Sequence, residues 1–126
     1  MANIIINSGQ APAPIGPYSQ AVRANGVLYV SGQVALDPTS GEMVQTDIEA
    51  ETHRVMQNLQ AILSEAGLNF THVVKCTIFV KDLNNFARIN SVYGSYFTQN
   101  PPARETVEVS RLPKDANVEI SCLAAG

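Results

Sequence analysis

The sequence predicts an α+β fold, a two-layer sandwich in which a mixed six-stranded sheet carries two helices on one face. Three observations lead there. Six short runs are rich in β-branched or alternating apolar residues. Two longer segments repeat apolar residues at helical spacing. The order β-β-β-α-β-α-β-β shows no repeat and no linker, and two helices can cover only one face of such a sheet. The 126 residues then read as a single domain, 1–126.

Taken in order, Ile4–Ile6 is a short first strand. The segment from Ala11 to Tyr18 holds Pro12, Pro14 and Pro17, which fix φ and lack donors, so it is an ordered loop that delivers Tyr18 after the rigid Gly16-Pro17 turn. Ala21–Ala24 and Val27–Val30 flank Asn25-Gly26, a pair suited to a type I′ hairpin turn. Ser31-Gly32-Gln33 interrupts the second arm, and Gly32 suggests a bulge or a close approach of backbone to ligand. Asp37–Gly41 is a surface turn. Thr46 and Glu49 read as a capping box opening a helix whose stripe is Ile48, Thr52, Val55, Leu59, Ile62, Leu63 and Ala66, with Gly67 as its stop. Val73–Val80 is a strand, with Val74, Cys76, Ile78 and Val80 on one face and Lys75, Thr77 and Phe79 on the other. Asp82–Asn85 supply cap chemistry for a second helix, with stripe Phe86, Ile89, Tyr93 and Phe97, which ends before Pro101-Pro102. Ala103–Val109 and Val118–Leu123 are the last strands, joined through a turn at Leu112–Asp115.

Composition narrows the function classes. A hydrophobic share of 45% with 15% charged residues argues against disorder. The net charge of −3, without a Lys/Arg cluster, argues against nucleic acid as a partner. The N-terminal stretch lacks a basic lead and a long apolar run, and no apolar stretch is long enough to span a bilayer, so a cytoplasmic protein without membrane association is expected. Cys76 and Cys122 lie in strand-like apolar runs without CxxC spacing and read as reduced core thiols. His53 and His72 are placed on the surface and make no metal spacing with the cysteines. GxSxG, Walker and GxGxxG motifs are missing, so the chemistry expected here uses no metal, no cofactor and no activated nucleophile.

Two charged residues stand inside apolar strands. Arg104 is either a bidentate clamp for a small carboxylate or one half of an interfacial salt bridge, with Glu119 as a candidate partner. Glu119 either holds and deprotonates a water or serves as a structural partner of Arg104 or Lys75. In the last strand Val118, Ile120 and Cys122 are expected to meet the helices, which turns Glu119 and Ser121 outward. Arg104, Thr106 and Glu108 share one face of the preceding strand. A second sheet face of such mixed polarity suits a subunit interface with a wet pocket, hence a homo-oligomer with sites at its seams. Tyr18 is either aimed at a ligand or packed as a loop aromatic. Asn90 breaks the apolar stripe of the second helix, and its amide needs a loop backbone or a ligand as partner.

In that order and spacing, Gly16-Pro17-Tyr18-Ser19-Gln20-Ala21, Val30-Ser31-Gly32-Gln33, Asn90, Pro102-Ala103-Arg104 and Val118-Glu119-Ile120 resemble the reactive-intermediate deaminase (RidA, YjgF-like) family over nearly the whole chain. The resemblance implies a chorismate-mutase-like α+β fold and a homotrimer with three clefts between subunits. It also implies hydrolysis of 2-imino and 2-enamino acids, such as 2-iminobutanoate and 2-iminopropanoate from pyridoxal-phosphate-dependent dehydratases, to 2-keto acids and ammonia. By resemblance, Arg104 binds the substrate carboxylate, Glu119 serves the catalytic water, and Tyr18, Ser31, Gly32 and Asn90 line or support the cleft. Thr106 stands where many members carry a cysteine, and its hydroxyl is a candidate hydrogen-bond partner for the ligand. Glu105 follows the arginine where a small residue is more usual. A non-catalytic protein that binds a small keto acid is the alternative, and an RNA-acting or chaperone-like role is a further one.

Overall fold

The computed structural model describes residues 3–126. Its strands are β1 (Ile4–Ile6), β2 (Ala21–Ala24), β3 (Val27–Gln33), β4 (Val73–Val80), β5 (Ala103–Glu108) and β6 (Val118–Ala125), and its helices are α1 (Ile48–Glu65) and α2 (Phe86–Gly94). One sheet runs β1-β2-β3-β6-β4-β5. Only the β4–β5 pair is parallel; the other four pairings are antiparallel, so the sheet is mixed as expected. Parallel neighbours need a crossover, and α2 is that crossover.

The hairpin forms as read from Asn25-Gly26, with φ of 51° and 78°, the two positive values a type I′ turn requires. Helix α1 starts one residue later than the expected box. Asp47, not Thr46, is its N-cap, and the Asp47 carboxylate accepts from the Ala50 N–H at 2.7 Å. Glu49, freed from capping, makes a bidentate pair with Arg88 of α2 at 2.6 and 2.9 Å. Gly67 does stop the helix at φ 77°, and Arg23 Nη2 donates to the Ala66 carbonyl at 2.7 Å, satisfying one of the last orphan acceptors.

The core is the helix-covered face. Val55, Met56, Leu59, Ile62 and Leu63 of α1 bury against Leu28, Ile78, Val80, Val118 and Ile120 of the sheet. Val74 departs from the expected alternation: the β4–β6 register shifts between Val73 and Lys75, so Val73 is buried and Val74 is half exposed. Helix α2 is shorter than its stripe, since Phe97 lies beyond its end, yet the Phe97 ring still packs on Tyr93 with centroids 4.8 Å apart. Among the described residues, no helix is long and apolar enough to cross a membrane.

A smaller apolar cluster of Val34, Leu36, Leu112 and Ala116 gathers on the other side of the sheet, with Phe79 packed against it. Buried Asn58 of α1 fastens its loop: Nδ2 donates to the Val34 and Leu36 carbonyls at 3.1 and 2.9 Å. Replacing Asn58 with Leu strands two buried carbonyls, and we expect a loss of about 2–4 kcal/mol in urea unfolding, with the slope unchanged.

Candidate functional site

The site residues are set by strand register. On β4, Cys76 stands opposite Arg104 of β5, while Phe79 stands opposite Glu119 of β6. Cys76 and Phe79 are an odd step apart, so their side chains, and those of their partners, leave opposite faces of the sheet. Arg104 therefore points to the helix side and Glu119 to the helix-free side. This corrects the expectation that Arg104 belongs to the mixed second sheet face together with Glu119, and it excludes a salt bridge between the two within one chain. Each residue heads its own half-site.

The first half-site is a pocket of about 330 Å³ walled by Pro12, Ile15, Val34, Leu36 and Pro113, with Tyr18, Ser31, Gly32, Gln33 and Glu119 also on its lining. A bulge makes it. The β3–β6 register passes from Val30↔Cys122 to Gln33↔Ile120, so Ser31 and Gly32 together face the single residue Ser121. The expected bulge is there, and the close approach is to Glu119: a Cβ on Gly32 would lie 2.6 Å from Glu119 Oε2. Ser31 is fixed from below, its N–H donating to the Gln20 carbonyl at 2.9 Å and its hydroxyl to the Ser19 carbonyl at 2.6 Å. Buried Gln20 in turn ties down the proline loop, accepting from the Ser8 N–H at 2.6 Å and donating to the Pro12 carbonyl at 2.9 Å. Tyr18 sits at the rim, half exposed, with its hydroxyl accepting from the Ile15 N–H at 3.2 Å. Burial pushes the Glu119 carboxyl above the usual carboxylate range, with no opposing contribution from a nearby cation or donor.

The second half-site lies between edge strand β5 and α2. Arg104 Nη1 donates to Asn90 Oδ1 at 2.6 Å, and the guanidinium carbon lies 5.5 Å from the Phe86 ring centroid and 5.1 Å from that of Tyr93. No acidic side chain of the described residues pairs with it. Glu105 points to the opposite face and pairs with Lys75 at 3.0 Å, so the neighbouring charge does not reach Arg104. The Thr106 hydroxyl, on the same face as Arg104, is buried without a partner. The Tyr93 hydroxyl is also buried and lies against the Cys76 thiol without a well-formed hydrogen bond; burial raises the pKa of both groups.

The structure thus brings Tyr18, Ser31, Gly32 and Glu119 together, and separately Asn90, Arg104 and Thr106. Sequence reasoning missed three participants. Phe86 and Tyr93 were read only as core stripe, although Phe86, Asn90 and Tyr93 at i, i+4 and i+7 form one helix face with a polar residue at its centre. Gln33, buried on the pocket lining, was hidden by the bulge, which breaks the alternation that would have placed it.

The family model described as Endoribonuclease L-PSP matches residues 8–126. Protein DfrA of Myxococcus xanthus is 56% identical over 126 residues, covering 98% of this chain and 96% of its own length. The 2-iminobutanoate/2-iminopropanoate deaminase of Homo sapiens is 42% identical over 120 residues, covering 95% of this chain and 88% of its own. The crystal structure of E. coli TdcF with bound serine superposes with a TM-score of 0.94 at 38% identity, covering 98% of each chain.

The raised Glu119 carboxyl has a consequence for stability. Its folded-state pKa lies above the unfolded value, so its contribution is most favourable below the unfolded pKa and is lost as pH rises through the folded one. Glu119→Gln is therefore expected to be more stable than the parent at neutral pH, with the gap in Tm closing toward pH 4, near the ordinary glutamate value. Gly32→Ala is expected to displace the carboxylate, and carbon NMR of the Glu119 carboxyl should then report a pKa moved back toward 4.5.

Proposed function

The chain belongs to the Endoribonuclease L-PSP (YjgF/RidA) family, and from that premise and the two half-sites we propose that it hydrolyses 2-imino and 2-enamino acids to 2-keto acids and ammonia. The observation that carries this reading is Arg104, a guanidinium on an edge strand that has no acidic partner among the described residues. A permanently charged fork in that state suits a substrate carboxylate. The sequence relationship to a 2-iminobutanoate/2-iminopropanoate deaminase supports the same substrate class.

The chemistry needs little more. The C2 carbon of an imine is already electrophilic, so a held water and a proton acceptor suffice. With the imine nitrogen protonated, Glu119 takes a proton as the water oxygen bonds to C2, giving a neutral carbinolamine. Glu119 returns that proton to the nitrogen and then accepts the hydroxyl proton as the C–N bond breaks, so ammonia leaves and C2 becomes a carbonyl. A carboxyl raised by burial is the better base near neutral pH, and such acid–base catalysis is worth roughly 10²–10⁴-fold. Arg104 and the pocket supply orientation, and the Thr106 hydroxyl, lacking a partner, offers a further hydrogen bond to the substrate.

One chain cannot hold a small acid between Arg104 and Glu119, since they leave opposite faces of its sheet. We therefore assign the complete site to a seam between copies, with Arg104, Asn90 and Thr106 from one and Tyr18, Ser31, Gly32 and Glu119 from the next. Half-exposed Tyr29 and Val107 on the helix-free face support association through that face, and a closed homotrimer would carry three such seams.

Coupled to a threonine dehydratase, the parent should accelerate 2-ketobutyrate formation, and Arg104→Ala and Glu119→Gln should each abolish the gain. Glu119→Gln should still bind 2-ketobutyrate; a parent that binds without accelerating would instead be a sensor. Mixing unfolded Arg104→Ala and Glu119→Gln chains and refolding them together should restore activity at about a quarter of the sites, by random assortment around a ring. No restoration would refute the shared site.

A further inference from the structure

Resting on the reading of Arg104 as a carboxylate anchor, we infer that Asn90, Phe86 and Tyr93 form a charge-neutral cradle whose function is to fix the guanidinium while leaving its charge uncancelled. An arginine inside a protein is usually steadied by a carboxylate, which also neutralises it. Here three neutral groups of α2 do the steadying. The Asn90 amide oxygen takes one N–H at 2.6 Å, and the faces of two rings lie within cation–π range on the same side chain. Ring faces attract a cation through their quadrupole and carry no net charge to compete with an anion.

Orientation follows from the same contacts. The amide occupies Nη1 only, so the other N–H groups of the fork remain for a second partner. The three residues sit at i, i+4 and i+7 of one short helix, so a single rigid element sets the direction of the fork. The nearest acid in sequence, Glu105, is directed to the opposite face and held there by Lys75. Asn90, Phe86 and Tyr93 are thus positioning residues acting through Arg104, and the neutrality of Asn90 matters as much as its shape.

The test uses the full-length protein and 2-ketobutyrate as the probe, with affinity read by calorimetry, KM and kcat by the coupled assay, and folding by Tm. Asn90→Asp keeps the shape and adds one negative charge against Nη1. It should hold or raise Tm while weakening 2-ketobutyrate binding and raising KM by about tenfold or more, with a smaller effect on kcat. Phe86→Leu should raise KM by about three- to tenfold, and Phe86→Tyr should restore it. Equal affinity in the parent and Asn90→Asp, at unchanged Tm, would overturn the neutral cradle. Arg104→Ala is the separating arm: if it too binds 2-ketobutyrate like the parent, the carboxylate-anchor reading itself has failed. If only Arg104→Ala loses binding, the anchor stands and the cradle falls.

Discussion

Strand alternation about β4 is the constraint on which the site depends. Arg104 is registered to Cys76 and Glu119 to Phe79, and no rotamer can bring side chains from opposite faces of one sheet into a shared crevice. A one-residue slip of β5 would put Arg104 on the helix-free side and Glu105 in its place under α2. What opposes the slip is what β5 touches on each face. Arg104 bonds Asn90 and lies beside the Phe86 and Tyr93 rings on the helix side, while Glu105 pairs with Lys75 on the other. The geometry of the site is therefore held by side-chain contacts of β5 rather than by burial of β5 itself.

Much of this was legible in the sequence, for reasons that can be named. The Asn25-Gly26 turn, the α1 stripe and the Gly67 stop rest on local chemistry, and local chemistry decides them in the structure. Two devices that insert or shift a residue were not legible. The Ser31–Gly32 bulge was suspected from its glycine, yet its effect on Gln33 was not, because a bulge resets the period that sequence reading relies on. The shift at Val73–Lys75 reversed Val73 and Val74 for the same reason. The division of the site into halves was within reach, since Glu119 was correctly turned away from the helices. What alternation cannot give is the absolute face of an edge strand, as β5 has few apolar residues to declare its inside. Asn90 shows a related limit: its partner lies fourteen residues away on another element, and no local pattern names a contact of that kind.

The two half-sites solve opposite electrostatic problems. Glu119 is half-buried with no cation beside it, so its charged form is disfavoured and its affinity for a proton rises. Arg104 cannot lose its proton, so its environment cannot tune it that way; the only means of keeping it available is to withhold anions. A salt bridge between the two would satisfy both and leave neither able to act. Placing them on opposite faces of one chain prevents that pairing in the isolated protomer without any repulsive group being needed.

Glu105 is where this arrangement looks most exposed, and the sheet itself resolves it. An acid next to Arg104 would be expected to compete with any carboxylate brought to the guanidinium, since at about 4–6 Å an opposite charge dominates the local field. Adjacent residues on a strand project to opposite faces, however, and Lys75 on the neighbouring strand fixes Glu105 there at 3.0 Å. Because that pair is solvent-exposed it adds little to stability, so its effect is on direction rather than on folding energy. The acid that follows Arg104 is thus absorbed by a partner already present on β4. An edge strand can carry two opposite charges in succession and still present only the positive one to the helix that packs on it.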